Sequence, residues 1–411
     1  MSVSLSLDAL NFLSADVRNA LGPFVNVYLV TDRHWTQTEF GLIATASGII
    51  GLVLQTPIGA AIDVTRAKRG VIVLAMAAMA LASIILVGFP AFWPMSFAFG
   101  ILALAGDAFV PAVAALTLGL VGKDQLARRL GRNSAFDHAG NIAIAIVAGA
   151  VGYFFSQRAV FLLVPLFAAL TSAAVLTIPA QAIDHDRARD LGDAAGAPAA
   201  VLGVLFKTRL LGVFALSAFF FHFANAPLLL LVGQKLAREF PQEATAMMSF
   251  CIVAAQGVMV PLAILVGRKA DTWGRKPLFL VAFAVLPIRA LLYTLSDNAF
   301  WLIGVQLLDG VGAGIYQALT PLVIADIMRG TGRYNLGQGA VATTQGVGAS
   351  ISALAVGEVL DHFGYTVSFL SLGAAAFVAF LVFLIFMPET RERETSEGEQ
   401  GSAALQGATS R

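Results

Sequence analysis

The sequence predicts an all-α membrane protein with twelve transmembrane helices in two pseudo-symmetric six-helix bundles. Three observations lead to this prediction. The 411 residues are 58% hydrophobic and only 12% charged, and their mean hydropathy is +0.81. Apolar stretches of about 20 residues, the length that a helix needs to cross a bilayer, recur along the whole chain. Short motifs also repeat between its two halves.

The composition argues against several other classes of protein. An ordinary soluble domain has about 25% charged residues, and a soluble fold of this length has too little interior to bury so much apolar surface. We therefore do not expect a soluble enzyme or a disordered chain. The 26 basic and 25 acidic residues give a net charge of +1, which offers no bulk field to attract nucleic acid. The single cysteine, Cys251, excludes an intrachain disulfide and a cysteine-based zinc cluster.

Twelve apolar stretches are long enough to be transmembrane helices and too long for transmembrane strands. They lie at about 10–31, 38–62, 70–90, 94–121, 135–156, 159–178, 206–234, 244–267, 276–295, 300–328, 335–358 and 366–387. The first is not expected to be a cleaved signal peptide, because no basic residue precedes it and charges interrupt its apolar run.

The basic residues predict the orientation in the membrane. With both termini in the cytoplasm, 20 of the 26 lysines and arginines fall on the cytoplasmic side, and only Arg33, Arg158, Lys235 and Arg238 fall outside. This bias predicts an integral, multi-pass membrane protein with an even number of spans. The short extracellular loops suit a bacterial inner membrane.

The longest polar gap divides the predicted spans into six and six. We predict an N-terminal bundle at 1–178, a cytoplasmic linker at 179–205, a C-terminal bundle at 206–388 and a disordered cytoplasmic tail at 389–411. The linker contains Asp184, His185 and Asp186, which leaves a metal-binding tract open. A solvated linker is favoured, because mixed charges among alanine and glycine bury little.

Three motifs are repeated between the halves. Gly59-Ala-Ala-Ile-Asp63 is followed by Arg66, and 208 residues later Gly267-Arg-Lys-Ala-Asp271 is followed by Arg275 and Lys276. The two other repeats are Leu130-Gly-Arg132-Asn133 beside Thr331-Gly-Arg333-Tyr-Asn335, and Pro23 in the first span beside Pro227 in the seventh. Such a duplication would give a transporter two similar units that rock about a site between them.

On these motifs the chain resembles a major facilitator superfamily transporter from about residue 8 to 388. The most specific element is the paired G-x-x-x-D motif with its basic cluster, although Ala67 stands in the first copy where the family usually has glycine. The resemblance implies that Asp63 contacts the start of helix 5 and Asp271 the start of helix 11. An aspartate in such a position can accept hydrogen bonds from the free N–H groups of a helix start.

These contacts would latch the cytoplasmic side shut. We expect the motif glycines to form tight turns and the basic residues to pair with an acid at the end of helix 10. The predicted gating residues are Gly59, Asp63, Arg66, Gly267, Asp271, Arg275, Lys276 and Asp326. The alternative is that the arginines and lysines only fix the topology.

Polar residues inside the spans are the candidates for a central cavity, because a charge in hydrocarbon is costly and usually faces a cavity or a partner. The resemblance implies that helices 1, 4, 7 and 10 line this cavity. The candidates for substrate or proton binding are Asp16, Arg18, Asn19, Asn26, Asp107, Asp137, His138, His222, Asn225, Asp309 and Gln317.

Each candidate has a structural alternative. Asp16 and Arg18 could pair where the first helix enters the membrane, Asp137 and His138 could belong to a cap or the latch, and His222 could simply pack. The amides could bridge helices, and Arg289 in span 9 is expected to extend outward to the interface. Phe219, Phe220 and Phe221 and the glycines 310, 312 and 314 are expected to pack rather than to bind a ligand.

The sequence predicts a secondary transporter that works by alternating access and is not an enzyme. No Walker sequence, serine elbow or zinc-protease motif is present, and no cofactor is expected. The expected partners are a small solute, the lipid bilayer and protons. The protons would be carried by Asp16, Asp107, Asp137, His222 or Asp309. Export of small amphiphilic compounds is favoured. Uptake of a metabolite or metal chelate, a non-transporting sensor and a membrane-embedded enzyme remain open, and the resemblance implies a monomer.

Overall fold

A computed structural model describes residues 2–19, 21–185, 203–205, 207–331 and 333–391. Inside its helices, the side chains at positions 16, 18, 19, 21, 63, 123, 124 and 127 are not described. All regular secondary structure in these ranges is helical, and nine stretches are long and apolar enough to cross a membrane. The all-α membrane class is therefore confirmed. The count of twelve spans and the domain boundaries stay predictions, and residues 186–202 and 392–411 lie outside the description.

The first half, residues 3–176, contains eight helices. They are α1 (Val3–Asn19), α2 (Leu21–Thr31), α3 (Gln37–Val64), α4 (Lys68–Gly88), α5 (Phe92–Val121), α6 (Lys123–Phe154), α7 (Gln157–Phe161) and α8 (Leu163–Leu176). The second half, residues 209–386, contains α9 (Arg209–Glu239), α10 (Ala244–Trp273), α11 (Arg275–Leu292), α12 (Ala299–Met328) and α13 (Tyr334–Phe386).

Caps set several helix ends. Thr36 and Glu39 form a capping box at the start of α3, and the Asn298 side chain accepts two backbone N–H groups at the start of α12, which satisfies groups that a helix leaves unpaired. The turn between α10 and α11 rests on Gly274, whose φ of 90° suits glycine. The expectation that Gly59 and Gly267 form the turns was wrong, since both lie within helices, α3 and α10.

Helix α13 is 53 residues long and covers both of the last two predicted spans. Gly364 interrupts it with φ 78° and ψ 180°, a conformation open to glycine only. The chain therefore passes between the segments 335–358 and 366–387 through a kink at one residue.

The two halves have separate apolar cores for most of their length. The second half packs around an aromatic group formed by Phe214, Phe279, Phe283 and Phe383, in which neighbouring ring centroids lie 4.8–6.4 Å apart. Phe221 is 2% exposed and stacks on Tyr316, as the packing interpretation expects.

The glycines at positions 310 and 314 allow α12 to pack closely on α10. A Cβ at Gly310 would collide with the carbonyl oxygen of Ala255, and one at Gly314 would lie 3.0 Å from that of Met259. This agrees with a packing role rather than a nucleotide-binding one.

Helix α6 begins earlier than the predicted fifth span. Arg129 and Arg132, which the sequence placed in a loop, lie on its first turns. Both donate hydrogen bonds to Asp8 on α1 at 2.6–2.9 Å, and Asp8 is 2% exposed. This buried ion-pair group joins α1 to α6 and was missed because the first span was predicted to start at residue 10.

Candidate functional site

The two halves meet at one end of the helices, which we call the closed end. It contains the connections 32–36, 89–91, 155–156 and 240–243, together with the start of α3 and the kink of α13. There α3 packs on α13 so tightly that a Cβ at Gly41 would collide with the backbone of Ala353. The hydroxyl of Thr45 donates to the carbonyl oxygen of Ser350 at 2.6 Å.

Asp361 on α13 caps the start of α3 in the other half. Its two carboxylate oxygens accept the backbone N–H groups of Gln37 at 3.2 Å and Thr38 at 2.7 Å. An acid at a helix start satisfies unpaired N–H groups and interacts favourably with the helix dipole. The resemblance implied this kind of contact for the paired loop motifs, whereas here it joins the halves at the closed end.

Two more contacts complete the closed end. Asn26, Gln37 and Gln234 form a buried chain of amides, in which Asn26 donates to Gln37 at 3.3 Å and accepts from Gln234 across the halves. Nearby, α6 packs on α10, where a Cβ at Gly152 would collide with Thr245. Asn26, predicted as a cavity residue, thus belongs to the contact between the halves.

His138 joins the halves at the middle of the helices. Its Nδ1 lies 3.0 Å from Oε1 of Gln256 on α10, and both side chains are half-buried. Asn141, one turn along α6, donates to Asp137 at 3.5 Å. The hydrogen bonds that link the halves, counted within the described part of the chain, all lie between this level and the closed end.

Asp107 lies near the middle of α5 against α3. Its Oδ2 is buried without a hydrogen-bond partner among the described residues, and a Cβ at Gly51 would lie 2.8 Å from it. The glycine therefore makes room for the carboxyl group. A buried carboxylate oxygen without a hydrogen-bond partner is costly when the group is ionised.

Asp309 lies in a polar network in the second half. Arg289 of α11 pairs with Asp309 and donates to Asn225 of α9 at 2.9 Å. Gln306 donates to the other carboxylate oxygen of Asp309 at 3.0 Å and accepts from Tyr293. The expectation that Arg289 extends outward was wrong, because it is 1% exposed and its charge is compensated inside the bundle.

His222 and Tyr316 pack against each other in the second half. Their ring centroids are 5.1 Å apart, and the Tyr316 hydroxyl accepts from Gln345 of α13 at 2.8 Å. Gln317, the next residue of α12, is exposed and is not brought to this group. The side chains of Asp16, Arg18, Asn19 and Asp63 lie outside the described residues, so their predicted roles stay predictions.

The predicted gating residues lie at the opposite end, which we call the open end. Arg275 donates to Asp271 at 2.7 Å and to Asp326 at 3.2 Å, which is the pairing expected for Asp326. The Asp271 side chain is 82% exposed, and no contact with the start of span 11 is found within the described ranges. Arg66 and Gly267 are exposed at this end, and Gly59 is half-buried.

Glu389 at the open end was not singled out from the sequence. Its carboxylate accepts the backbone N–H groups of Arg275 at 2.9 Å and Lys276 at 3.0 Å. Partial burial raises the pKa of Glu389, but the backbone donors outweigh that effect and hold its pKa below the usual range. The Lys276 ammonium also donates to the carbonyl oxygen of Leu384 at 2.9 Å.

Sequence and structure comparisons identify the family. The profile described as Major Facilitator Superfamily matches residues 7–288 and 245–409. An "Uncharacterized MFS-type transporter", Rv2456c of Mycobacterium tuberculosis strain ATCC 25618 / H37Rv, is 48% identical over 391 residues, 94% of each chain.

Two further similarities are more distant. A "Multi-drug resistance efflux pump PmrA homolog" of Lactococcus lactis subsp. lactis is 29% identical over 127 residues, 30% of each chain. The crystal structure of the nucleoside transporter NupG covers 93% of this chain and 98% of its own with a TM-score of 0.76 at 14% identity, a likeness of fold. The chain is therefore a multi-pass membrane protein that belongs to the Major Facilitator Superfamily of transporters.

Proposed function

We propose that this protein is a secondary transporter that moves a small solute by alternating access and catalyses no bond chemistry. One observation carries the proposal: the hydrogen bonds between the halves, within the described residues, run from mid-helix to the closed end, while Arg275 at the open end pairs with Asp271 and Asp326 inside the second half. Two similar bundles in this arrangement can rock about a site between them.

The orientation follows from the excess of basic residues at the open end. With both termini in the cytoplasm of a bacterial cell, the open end faces the cytoplasm and the conformation is inward-facing. We propose a monomer in the inner membrane, because the two halves of one chain enclose the proposed site between them.

Protons are the proposed coupling ion, and Asp107 is their proposed carrier. Its carboxyl has a buried oxygen without a partner, so protonation removes the cost of burying a charge. Asp309 is less suited to this role than the sequence suggested, because Arg289 already compensates its charge. His138, at a contact between the halves, is the second candidate, since an imidazole ring can bind and release a proton.

Export of small amphiphilic compounds is the proposed direction. The similarity to the lactococcal efflux pump homologue supports export, and the half-buried ring of His222 offers an aromatic contact to a partly apolar solute. Amide groups such as Gln345 and Asn225 could supply hydrogen bonds that orient it.

The test uses proteoliposomes with ethidium as an amphiphilic probe and trapped pyranine as a pH indicator. The wild type should accumulate ethidium when a pH gradient is imposed, and protons should move with it. Asp107→Asn should lose the gradient-driven accumulation and keep exchange at equal pH, whereas the exposed Asp297→Asn serves as the matched control.

Three outcomes would contradict parts of this proposal. Normal gradient-driven accumulation by Asp107→Asn would remove Asp107 as the proton carrier. Accumulation of ethidium in the direction opposite to export, given the orientation of the protein in the vesicles, would indicate uptake. A wild type that moves neither ethidium nor protons would reject export of amphiphilic cations.

A further inference from the structure

A cavity of about 470 Å³ lies at the open end of the second half, outside the central site. It lies where the chain enters α9 and where α12 passes into α13. Its walls are Gly203, Val204, Lys207, Thr208, Met328, Thr331, Arg333 and Leu336. The volume falls within the range of about 300–1,000 Å³ that is usual for sites of small ligands.

Among the residues that the structure describes, no acid balances the charges at this cavity. Lys207 and Arg333 are both exposed, and within the described residues neither side chain has a hydrogen bond or an ion pair. No aspartate or glutamate occurs in 203–238 or in 327–357. The segments that line the cavity therefore hold no acid that could compensate the two cations.

In the first half, the corresponding cations are balanced by a carboxylate of the protein itself. By the sequence repeat, Arg333 corresponds to Arg132, which together with Arg129 pairs with Asp8 on α1. Pro23 and Pro227 are corresponding positions of the sequence repeat. The same spacing places Gly212 at the position of Asp8, so the second half lacks this acid. An anion from outside the chain would take the place that the Asp8 carboxylate fills in the first half.

Backbone groups at the cavity also favour an anion. Thr208 and Arg333 are the N-cap residues of α9 and α13, and neither side chain caps its helix. The positive ends of two helices thus meet two cations and the Thr208 hydroxyl, an arrangement suited to phosphate oxygens. The apolar side chains of Val204, Met328 and Leu336 leave a surface for a non-polar stem.

We propose that this cavity binds a phosphate group, and that its source is the head group of an anionic phospholipid. On the proposed orientation the cavity lies at the level of the cytoplasmic leaflet, whose anionic lipids attract basic sites between transmembrane helices. Binding joins the start of α9 to the start of α13. A free phosphate compound shares the same chemistry and is separated by the test.

The experiment measures thermal unfolding of the delipidated full-length protein in detergent. Dioleoylphosphatidylglycerol is compared with dioleoylphosphatidylcholine, and inorganic phosphate with sodium chloride at equal ionic strength. The variants are Lys207→Gln/Arg333→Gln and, as a matched pair of exposed cations at the same end, Arg268→Gln/Lys269→Gln.

Phosphatidylglycerol should raise the melting temperature of the wild type and of the matched control. Lys207→Gln/Arg333→Gln should need at least about tenfold more lipid for the same shift, because it loses two charge-assisted contacts. Thr208→Asp, which places a carboxylate at a position where aspartate caps a helix well, should be stabilised without lipid and lose the response.

A response to inorganic phosphate alone that the double variant loses would support the site and assign it to a free phosphate compound. The proposal is overturned if neither phosphatidylglycerol nor phosphate shifts the wild type. It is also overturned if Lys207→Gln/Arg333→Gln or Thr208→Asp responds like the matched control.

Discussion

Asp361→Asn should shift the protein toward a conformation that is open at the closed end. The carboxylate joins the halves through two backbone N–H groups of α3, at 3.2 and 2.7 Å. A hydrogen bond to a charged group contributes about 1.5–3 kcal/mol when it is buried. Because Asp361 is exposed, we take about 1–2 kcal/mol for the pair, which corresponds to a change of about 5–30-fold in the conformational equilibrium.

Distances between spin labels across the closed end measure this change. Ala91 in the first half and Gln242 in the second are both exposed, so cysteines there can be labelled after Cys251→Ser removes the buried native thiol. The wild type should give mainly the short distance, and Asp361→Asn should add a longer one.

Glu358→Gln is the matched control, since this acid lies one turn away on the same helix and its side chain is 52% exposed. It should leave the distances unchanged. A distance distribution for Asp361→Asn equal to that of the wild type would refute the claim that this cap holds the halves together.

Three more perturbations test other parts of the structure. Arg289→Ala should destabilise the protein by about 3 kcal/mol, the lower end for a broken buried pair, because it leaves the half-buried Asp309 without its counter-charge. Arg289→Ala/Asp309→Asn should recover part of the loss in a double-mutant cycle of melting temperatures; additive losses would refute the pairing. Glu389→Gln should lower the melting temperature at about pH 7, and this loss should shrink as the pH falls below about 4, because a group with a lowered pKa stabilises fully only above its unfolded value and loses that effect as the pH falls through its folded value; a loss that does not change with pH would contradict this. Gly41→Ala should open the closed end by its collision with Ala353, which cysteine labelling would detect, whereas Gly100→Ala, with open space around it, should not.

The sequence was sufficient to predict the fold because hydropathy and repeats depend on the chain alone. Asp309 was found by the cost of a charge in a membrane, but its partner was not, since pairing depends on how α11 and α12 rotate against each other. Arg289 could have been chosen by asking which neighbouring span offers an acid. This rule would have replaced the expectation that Arg289 extends outward.

Asn26 was likewise selected as a polar residue inside the first span, without any indication of what it contacts. It is buried against Gln234 of the other half, a contact between residues 208 positions apart. The exposed acid Asp361 gave no signal in the sequence, because its role depends on the start of α3 lying beside it.

The connection at Gly364 has a mechanical consequence. Ordinary loops absorb displacement, but here one residue with φ 78° separates the segment that contacts the first half from the segment that follows it. A tilt of the first segment therefore also tilts the second, because no loop between them absorbs the movement. An epitope or reporter domain inserted at Gly364 would uncouple the movements of the two segments.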